Sequence, residues 1–108
     1  MCKKEFGDCE ATLINNRSTK FSGNIFIMKT EGDDRIVVSH EGINVIILSC
    51  SVIRSYNVTE KIITCQFRED YFAQKLVIKF FGNDQVKTFL SALPPILRPT
   101  PEEDISRR

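Results

Sequence analysis

Apolar residues near the C-terminal end of the chain recur with the spacing of an amphipathic helix. Within residues 82–93 (GNDQVKTFLSAL), Val86, Phe89, Leu90 and Leu93 stand at i, i+3, i+4 and i+7. Side chains at this spacing share one face of a helix. Burial of each is worth roughly 1.5–3 kcal/mol before entropy is counted. We therefore expect the helix to lie on a large apolar surface formed by the rest of the chain.

The ends of this helix are marked by residues with a backbone preference. Gly82 allows a sharp entry, and Asn83 or Asp84 is predicted to cap the first turn by accepting from free backbone N–H groups. Pro94 and Pro95 cannot donate the next helical hydrogen bonds, so the helix is expected to end before them.

Upstream of the helix, short runs of apolar and β-branched residues are typical of β-strands. In residues 61–68 (KIITCQFR), Ile63, Cys65 and Phe67 fall on one face of an extended chain. The dipeptide Glu41-Gly42 separates two such runs and predicts a hairpin, and a bend or bulge is expected near residues 49–51. The predicted strands are residues 8–15, 20–30, 35–40, 43–50, 52–58, 61–68 and 74–81.

Strands this close in sequence leave no room for crossover helices, so the sheet is predicted to be mostly antiparallel. Six or seven such strands followed by one helix predict a mostly β, PH-like fold, a seven-stranded antiparallel and partly open barrel capped by the C-terminal helix. A two-layer α+β sandwich is the alternative. We expect a flexible N-terminus at residues 1–6, a PH-like domain at residues 7–97 and a disordered, proline-rich and charged tail at residues 98–108.

The bulk composition is that of one ordinary globular domain of 108 residues, 42% of them apolar. A net charge of +1 argues against a general nucleic-acid or membrane-surface binder, which would show a basic excess. The chain opens without an apolar leader, and four cysteines without C-x-x-C spacing favour a reducing compartment, cytoplasm or nucleus. With one histidine, no metal site is expected.

Catalytic signals are weak throughout the sequence. His40 next to Glu41 could form an acid–base pair, but both fall at a predicted hairpin turn, where solvent exposure explains them. The acidic turn Glu31-Gly32-Asp33-Asp34 lacks the regular spacing of a calcium loop. The glycines are scattered, so no phosphate-binding loop is present. We expect a protein that is not an enzyme, with no cofactor.

Lipid-binding PH domains carry basic residues around their first strand pair, which raises the phosphoinositide question. Here that region supplies Arg17, Lys20 and Lys29, followed closely by acidic residues that would repel phosphate. Phosphoinositide binding therefore remains an alternative, weaker than protein recognition.

A candidate protein-docking surface is predicted on the two strands before the last one. Its members are more apolar than a solvated sheet face requires, which is typical of an interaction patch. The predicted partner-binding residues are Arg54, Tyr56, Val58, Lys61, Ile62 and Thr64. A partner helix could lie on this face, or an extended peptide could add to a strand edge. Equally, the segment at residues 52–59 could simply cover these residues within the fold.

The last strand and the helix together resemble part of a known family. Residues 75–93 (KLVIKFFGNDQVKTFLSAL) join a basic and apolar strand, an aromatic-Gly turn and an amphipathic helix. With weaker support from residues 21–30 (FSGNIFIMKT) and 43–68, this resembles the N-terminal PH-like domain of the meiotic recombination family Rec-one-fourteen/Rec-seven. The N-terminal part of this chain is shorter than that family pattern.

The resemblance implies a nuclear, chromosome-associated and non-catalytic accessory factor for meiotic DNA double-strand-break formation. Its PH-like domain would bind protein partners of the break-forming machinery, with no direct binding of nucleic acid, membrane or small molecule. The implied partner-binding face falls around Tyr56, Val58, Ile62 and Thr64, by position in the strand order. The alternatives are a phosphoinositide-binding PH domain and a PH module of a transcription or chromatin factor that binds acidic peptides.

Overall fold

The computed structural model describes residues 2–69 and 72–94. Four β-strands precede a short 3₁₀ helix and three follow it, and an α-helix is the last element. The strands are β1 (Cys2–Ile14), β2 (Ser18–Thr30), β3 (Asp33–His40), β4 (Ile43–Ser49), β5 (Ile53–Thr59), β6 (Ile62–Glu69) and β7 (Phe72–Phe80). The 3₁₀ helix is Cys50–Val52, and the α-helix, α1, is Asn83–Ala92.

All seven strands belong to one sheet, in the order β4-β3-β2-β1-β7-β6-β5. Every neighbouring pair is antiparallel. The edge strands β4 and β5 follow each other in sequence without pairing, so the curled sheet stays open between them. The 3₁₀ helix makes this connection at the predicted bend. The fold class expected from the sequence, mostly antiparallel β with one C-terminal helix, is confirmed.

The helix stripe covers the core as predicted. Phe89 is fully buried, Val86 and Leu93 are nearly so, and Leu90 packs partly buried against the same cluster. The Phe89 ring meets Phe6 edge-on at 5.2 Å between centroids and Phe80 at 5.3 Å in a tilted pair. Aromatic pairs of this kind add to the stabilisation that burial supplies.

The N-terminal segment differs from the expectation of a flexible lead-in at residues 1–6. Strand β1 begins at Cys2 and pairs with β2 from there, Cys2 lying opposite Lys29. This stretch is polar and has no apolar alternation that would predict a strand. Its order comes from backbone pairing with β2. At Phe6 the β1–β2 register shifts, and the extra residue turns its ring inward to Phe89. Residues 95–97 of the predicted domain and the predicted tail at 98–108 lie outside the described residues.

The start of α1 also differs from the prediction. Gly82, not Asn83 or Asp84, is the N-cap, and a glycine has no side chain with which to cap. The side-chain oxygen of Gln85 instead accepts from the N–H groups of Gly82 at 2.9 Å and Phe81 at 3.1 Å. The N–H groups of the N-cap and of the residue before it are thus satisfied from within the helix.

The amide nitrogen of Gln85 extends this contact to the sheet. It donates to the carbonyl oxygens of Phe6 at 2.7 Å and Asp8 at 3.3 Å, on either side of Gly7. Gly7 has φ +87°, a conformation that favours glycine, and a Cβ there would stand 2.9 Å from the Gln85 nitrogen. One side chain therefore joins the helix start to the bulge in β1.

Candidate functional site

The predicted partner-binding residues do not share one face of the sheet. Tyr56 lies opposite Cys65, and Val58 lies opposite Ile63. Directly opposed residues of an antiparallel pair share a face, and Cys65 and Ile63 are core residues. Tyr56 and Val58 accordingly pack, partly buried, against the core.

Ile62 and Thr64 lie on the other, outward face, where they oppose Thr59 and Asn57 of β5. On β7 they are opposed by Lys79 and Val77. Lys61 is exposed in the turn between β5 and β6. The predicted single patch is thus divided between an inner and an outer set, and its binding role stays a prediction.

The cause of this division is a register shift at Arg54. Ile53 opposes Phe67 and Ser55 opposes Gln66, so Arg54 is an extra residue in β5. A bulge moves every later side chain to the other face compared with a regular strand. Counting alternate residues from Arg54 through Tyr56 therefore assigned the wrong face.

A groove opens on the outer side, where β1 and β6 end and β7 begins. Its first pocket has a cavity volume of about 450 Å³ and contains Arg54 of the predicted set. Part of the pocket wall is a row of neighbouring residues across β1, β7 and β6, namely Ile14, Lys75 and Gln66. Phe67 and Ala73 add apolar surface.

A second pocket, of about 370 Å³, continues the first around the β1–β2 turn. The two share Asn15, Ala73 and Gln74, and the second adds Arg17 and Phe72. The Phe72 side chain is 62% exposed and Ile14 is 36% exposed. We call the two pockets together the β1/β7 groove.

The charged side chains of the β1/β7 groove are all basic. They are Arg17, Arg54, Arg68 and Lys75. Within the described part of the chain, none of them forms an ion pair, and no acidic residue lines either pocket. Since the whole chain has nearly balanced charge, at +1, this groove concentrates positive charge locally.

Sequence analysis missed most of this groove. Arg68 and Lys75 come together because β6 and β7 form a tight hairpin, in which Gln66 opposes Lys75 and Arg68 opposes Ala73. Ile14 reaches them only through the β1–β7 pairing, which joins the first strand to the last. The available signal was a basic residue on each side of the β6–β7 turn, Arg68 and Lys75, although Glu69 at the end of β6 and Asp70 stand between them in sequence.

Two of the three basic residues considered for phosphoinositide binding have acidic partners, and the third, Arg17, lines the β1/β7 groove. Lys20 pairs with Glu10 at 3.1 Å, and Lys29 pairs with Asp34 at 3.2 Å. Lys29 also donates to the Ala92 carbonyl at the end of α1, at 3.3 Å. A positive charge at this end interacts favourably with the helix dipole. These two lysines have structural partners, which weakens the lipid alternative.

The edge strand β4 presents a second apolar surface. Ile43 is 67% exposed and Ile47 is 57% exposed, on a strand whose outer edge pairs with none of the described strands. An unpaired edge offers backbone donors and acceptors to an added strand. This edge fits the strand-addition mechanism considered from the sequence.

The candidate catalytic and metal residues have ordinary surroundings. His40 donates through Nδ1 to the Ser22 carbonyl at 2.6 Å, and its Nε2 is 4.0 Å from Glu41. These two residues lie at the predicted hairpin turn, where Glu41 and Gly42 both have positive φ. Among the described residues, no group of three or more His, Cys, Asp or Glu side chains is placed to hold a metal ion.

The three described thiols are poor nucleophiles. Burial raises the pKa of Cys9, Cys50 and Cys65 to about 12 each, and nearby carboxylates add to this at Cys9 and Cys50. The thiolate is the reactive form of cysteine, so these groups are inert in the folded chain.

The acidic turn holds its own chain together. Asp33 accepts from the Ser49 hydroxyl at 2.6 Å and from Arg35 Nε at 3.1 Å. The hydrogen bond from Ser49, followed by that from Arg35, holds the pKa of Asp33 below its usual 3.8. This carboxylate therefore has structural partners, as expected for a turn rather than a calcium site.

The described residues contain no helix that is long and apolar enough to cross a membrane.

Comparison with known proteins yields a match to structure alone. No family model and no curated protein sequence matches the chain. A solved structure that is similar is the Ran-binding domain of the nuclear pore complex component Nup2 from Ashbya gossypii, with a TM-score of 0.68 and 13% identity. The match covers 83% of this chain and 93% of that domain. At this level of identity the likeness concerns the fold, and the chain has a PH-like fold.

Proposed function

We propose that this chain is a non-catalytic protein-interaction domain that docks a partner segment on its sheet. The observation that carries the proposal is the β1/β7 groove, which combines exposed apolar side chains with basic ones in a concave site. Concave sites with a few convergent polar groups are the usual places of binding. The inert thiols and the ordinary setting of His40 support a binding role over catalysis.

The finer proposal is that this domain belongs to a nuclear, chromosome-associated factor required for meiotic DNA double-strand-break formation. Its support is the resemblance of residues 75–93 to the Rec-one-fourteen/Rec-seven family, together with the PH-like fold that this resemblance implied. Partners would then be proteins of the break-forming machinery.

The docking surface can be tested by filling the groove. Ala73 is exposed, lines both pockets and opposes Arg68 in the β6–β7 hairpin, so Ala73→Trp adds an indole there while keeping a strand-compatible residue. The matched control is Asn24→Trp, at an exposed position of the interior strand β2 that lines neither pocket. Circular dichroism and the melting temperature establish that both variants fold.

The readout is made in the organism that encodes the chain. Deletion of the gene is expected to reduce meiotic double-strand breaks and to leave mitotic growth intact, and a tagged chain should localise to meiotic chromosomes. Ala73→Trp should reproduce the loss of breaks, whereas Asn24→Trp should restore them to the original number. Normal break numbers after deletion would refute the meiotic role. Equal rescue by both variants would refute docking in this groove.

Lipid binding is the second outcome to measure. The chain and its Lys20→Gln/Lys29→Gln variant should co-sediment to the same extent with phosphoinositide vesicles, because both lysines already have acidic partners. Retention that depends on these two residues would favour the phosphoinositide alternative.

A further inference from the structure

The β1/β7 groove carries information about the chemistry of what it binds. Resting on the proposed docking function, we propose that its occupant is an acidic, extended peptide segment of a partner protein with at least one large apolar side chain. Two features of the groove support this, its apolar wall and its basic side chains, which have no acidic partner among residues 2–69 and 72–94.

The charge argument comes from the partners that the basic side chains lack. Lys3, Lys20, Lys29 and Arg35 each lie within 4.0 Å of a carboxylate. The described part of the chain also has exposed lysines that form no ion pair and line neither pocket, namely Lys4, Lys61, Lys79 and Lys87, so the groove cations are distinguished by their convergence. The groove cations have no such partner among the described residues, although they converge on two adjoining pockets. Like charges gathered in this way repel one another, and carboxylates of a ligand would relieve the repulsion.

The wall of the groove favours a peptide over other anions. Ile14, Phe67 and Ala73 line the same pocket as Arg54, Arg68 and Lys75, so an apolar side chain placed there would have carboxylate-binding groups around it. A phosphate backbone carries no apolar group to fill this position. The amides of Asn15 and Gln74, shared by both pockets, supply donors and acceptors suited to an extended peptide backbone.

Three labelled peptides test the proposal by fluorescence anisotropy with the full chain. The first is a ten-residue peptide of Glu and Asp with two central Leu residues. The second replaces Leu with Ser, and the third replaces Glu and Asp with Gln and Asn. The first should bind, with an affinity that falls as salt rises from about 0.05 to 0.5 M. Each of the other two should bind about tenfold more weakly or not at all, because each lacks one of the two required features.

Charge removal in the protein locates the binding. Arg54→Gln/Arg68→Gln should weaken the first peptide roughly 25-fold, about fivefold for each cation removed. The control Lys4→Gln/Lys87→Gln removes the same charge from exposed positions outside the groove and should change affinity less than about twofold. Equal effects of the two double variants would overturn the proposal, since binding would then follow net charge alone.

Other occupants give distinct results. Equal binding of a ten-nucleotide single-stranded DNA would overturn the proposal in favour of nucleic acid. The chain also has its own acidic run at residues 102–104, and Glu102→Gln/Glu103→Gln/Asp104→Asn tests it. A markedly tighter peptide complex with this triple variant would assign the groove to the chain's own segment and overturn the partner proposal.

Failure here is separable from failure of the proposed function. If Ala73→Trp abolishes meiotic breaks but the acidic peptide does not bind, docking stands and the partner chemistry is wrong. If the peptide binds in the groove but deletion of the gene leaves break numbers normal, the partner chemistry stands and the meiotic function fails.

Discussion

Replacement of Gln85 by alanine should destabilise the domain far more than its half-exposed position suggests. The side chain makes four hydrogen bonds, two as acceptor from Phe81 and Gly82 and two as donor to Phe6 and Asp8. Alanine removes all four at once. The helix start then loses the group that satisfies its free N–H donors, and β1 loses its link to the helix.

The magnitude follows from which of these bonds water can replace. The bonds to Phe6 and Gly82, at 2.7 and 2.9 Å, are partly buried, and each should be worth about 1 kcal/mol. The bonds to Asp8 and Phe81, at 3.3 and 3.1 Å, are exposed, so water recovers most of their energy and roughly 0.5 kcal/mol remains for the two together. We expect Gln85→Ala to lower the free energy of unfolding by about 2–3 kcal/mol.

The assay is equilibrium urea unfolding followed by circular dichroism, in which the m-value must stay constant for the comparison to hold. Gln66→Ala is the matched control. Gln66 is also partly buried, but no hydrogen bond of its side chain is found within the described part of the chain. Its cost should stay within about 0.5 kcal/mol. Equal losses for the two variants would refute the reasoning.

A double-mutant cycle with Gly7 sharpens the test. In Gly7→Ala the new Cβ would meet the Gln85 nitrogen at 2.9 Å, and alanine would also be strained at φ +87°. Without the Gln85 side chain only the backbone strain remains, about 1 kcal/mol. Gly7→Ala should therefore cost less in the Gln85→Ala background than alone. Additive costs would contradict the contact geometry.

Three further predictions concern other parts of the fold. In Gly23→Ala the new Cβ would lie 2.0 Å from the Ser39 carbonyl oxygen, so the free energy of unfolding in urea should fall by about 3 kcal/mol or more. The control Gly32→Ala should lower it by only about 1 kcal/mol, because its cost comes from the left-handed backbone alone. Because the pKa of Asp33 is lowered by Ser49 and Arg35, its stabilisation is present above pH 3.8 and is lost as pH falls below it, so Asp33→Asn should flatten the acid-side fall in melting temperature. The three buried thiols should resist iodoacetamide at about pH 8 until the chain unfolds, as peptide mass spectrometry can measure, and labelling under native conditions would contradict their burial.

The fold was largely accessible from sequence because its main signals are local. The stripe of Val86 and Phe89 needs only helical periodicity, and the Glu41-Gly42 turn needs only its two residues. Short strand spacing excluded crossover helices and therefore a parallel sheet. These features do not depend on which strands become neighbours.

The remaining features depend on tertiary pairing. The bulge at Arg54 shifts the register of β5, and nothing in the local alternation marks it, so Tyr56 was assigned to the wrong face. The polar start of β1 is ordered by its neighbour β2 rather than by its own side chains. For the same reason the groove was missed, because Ile14 and Lys75 become neighbours only when β1 pairs with β7.

The position of β1 in the middle of the sheet has a consequence for how the chain is made. Of the strands in this sheet it is synthesised first, and β2, β3 and β4 can form a meander beside it as they follow. Its other flank, Cys9–Ile14, has no native neighbour until β7, the last strand to be synthesised. Until β7 has been synthesised, the nascent chain therefore exposes one unpaired edge of its central strand. A nascent-chain chaperone would protect that edge, and two incomplete copies would associate through it.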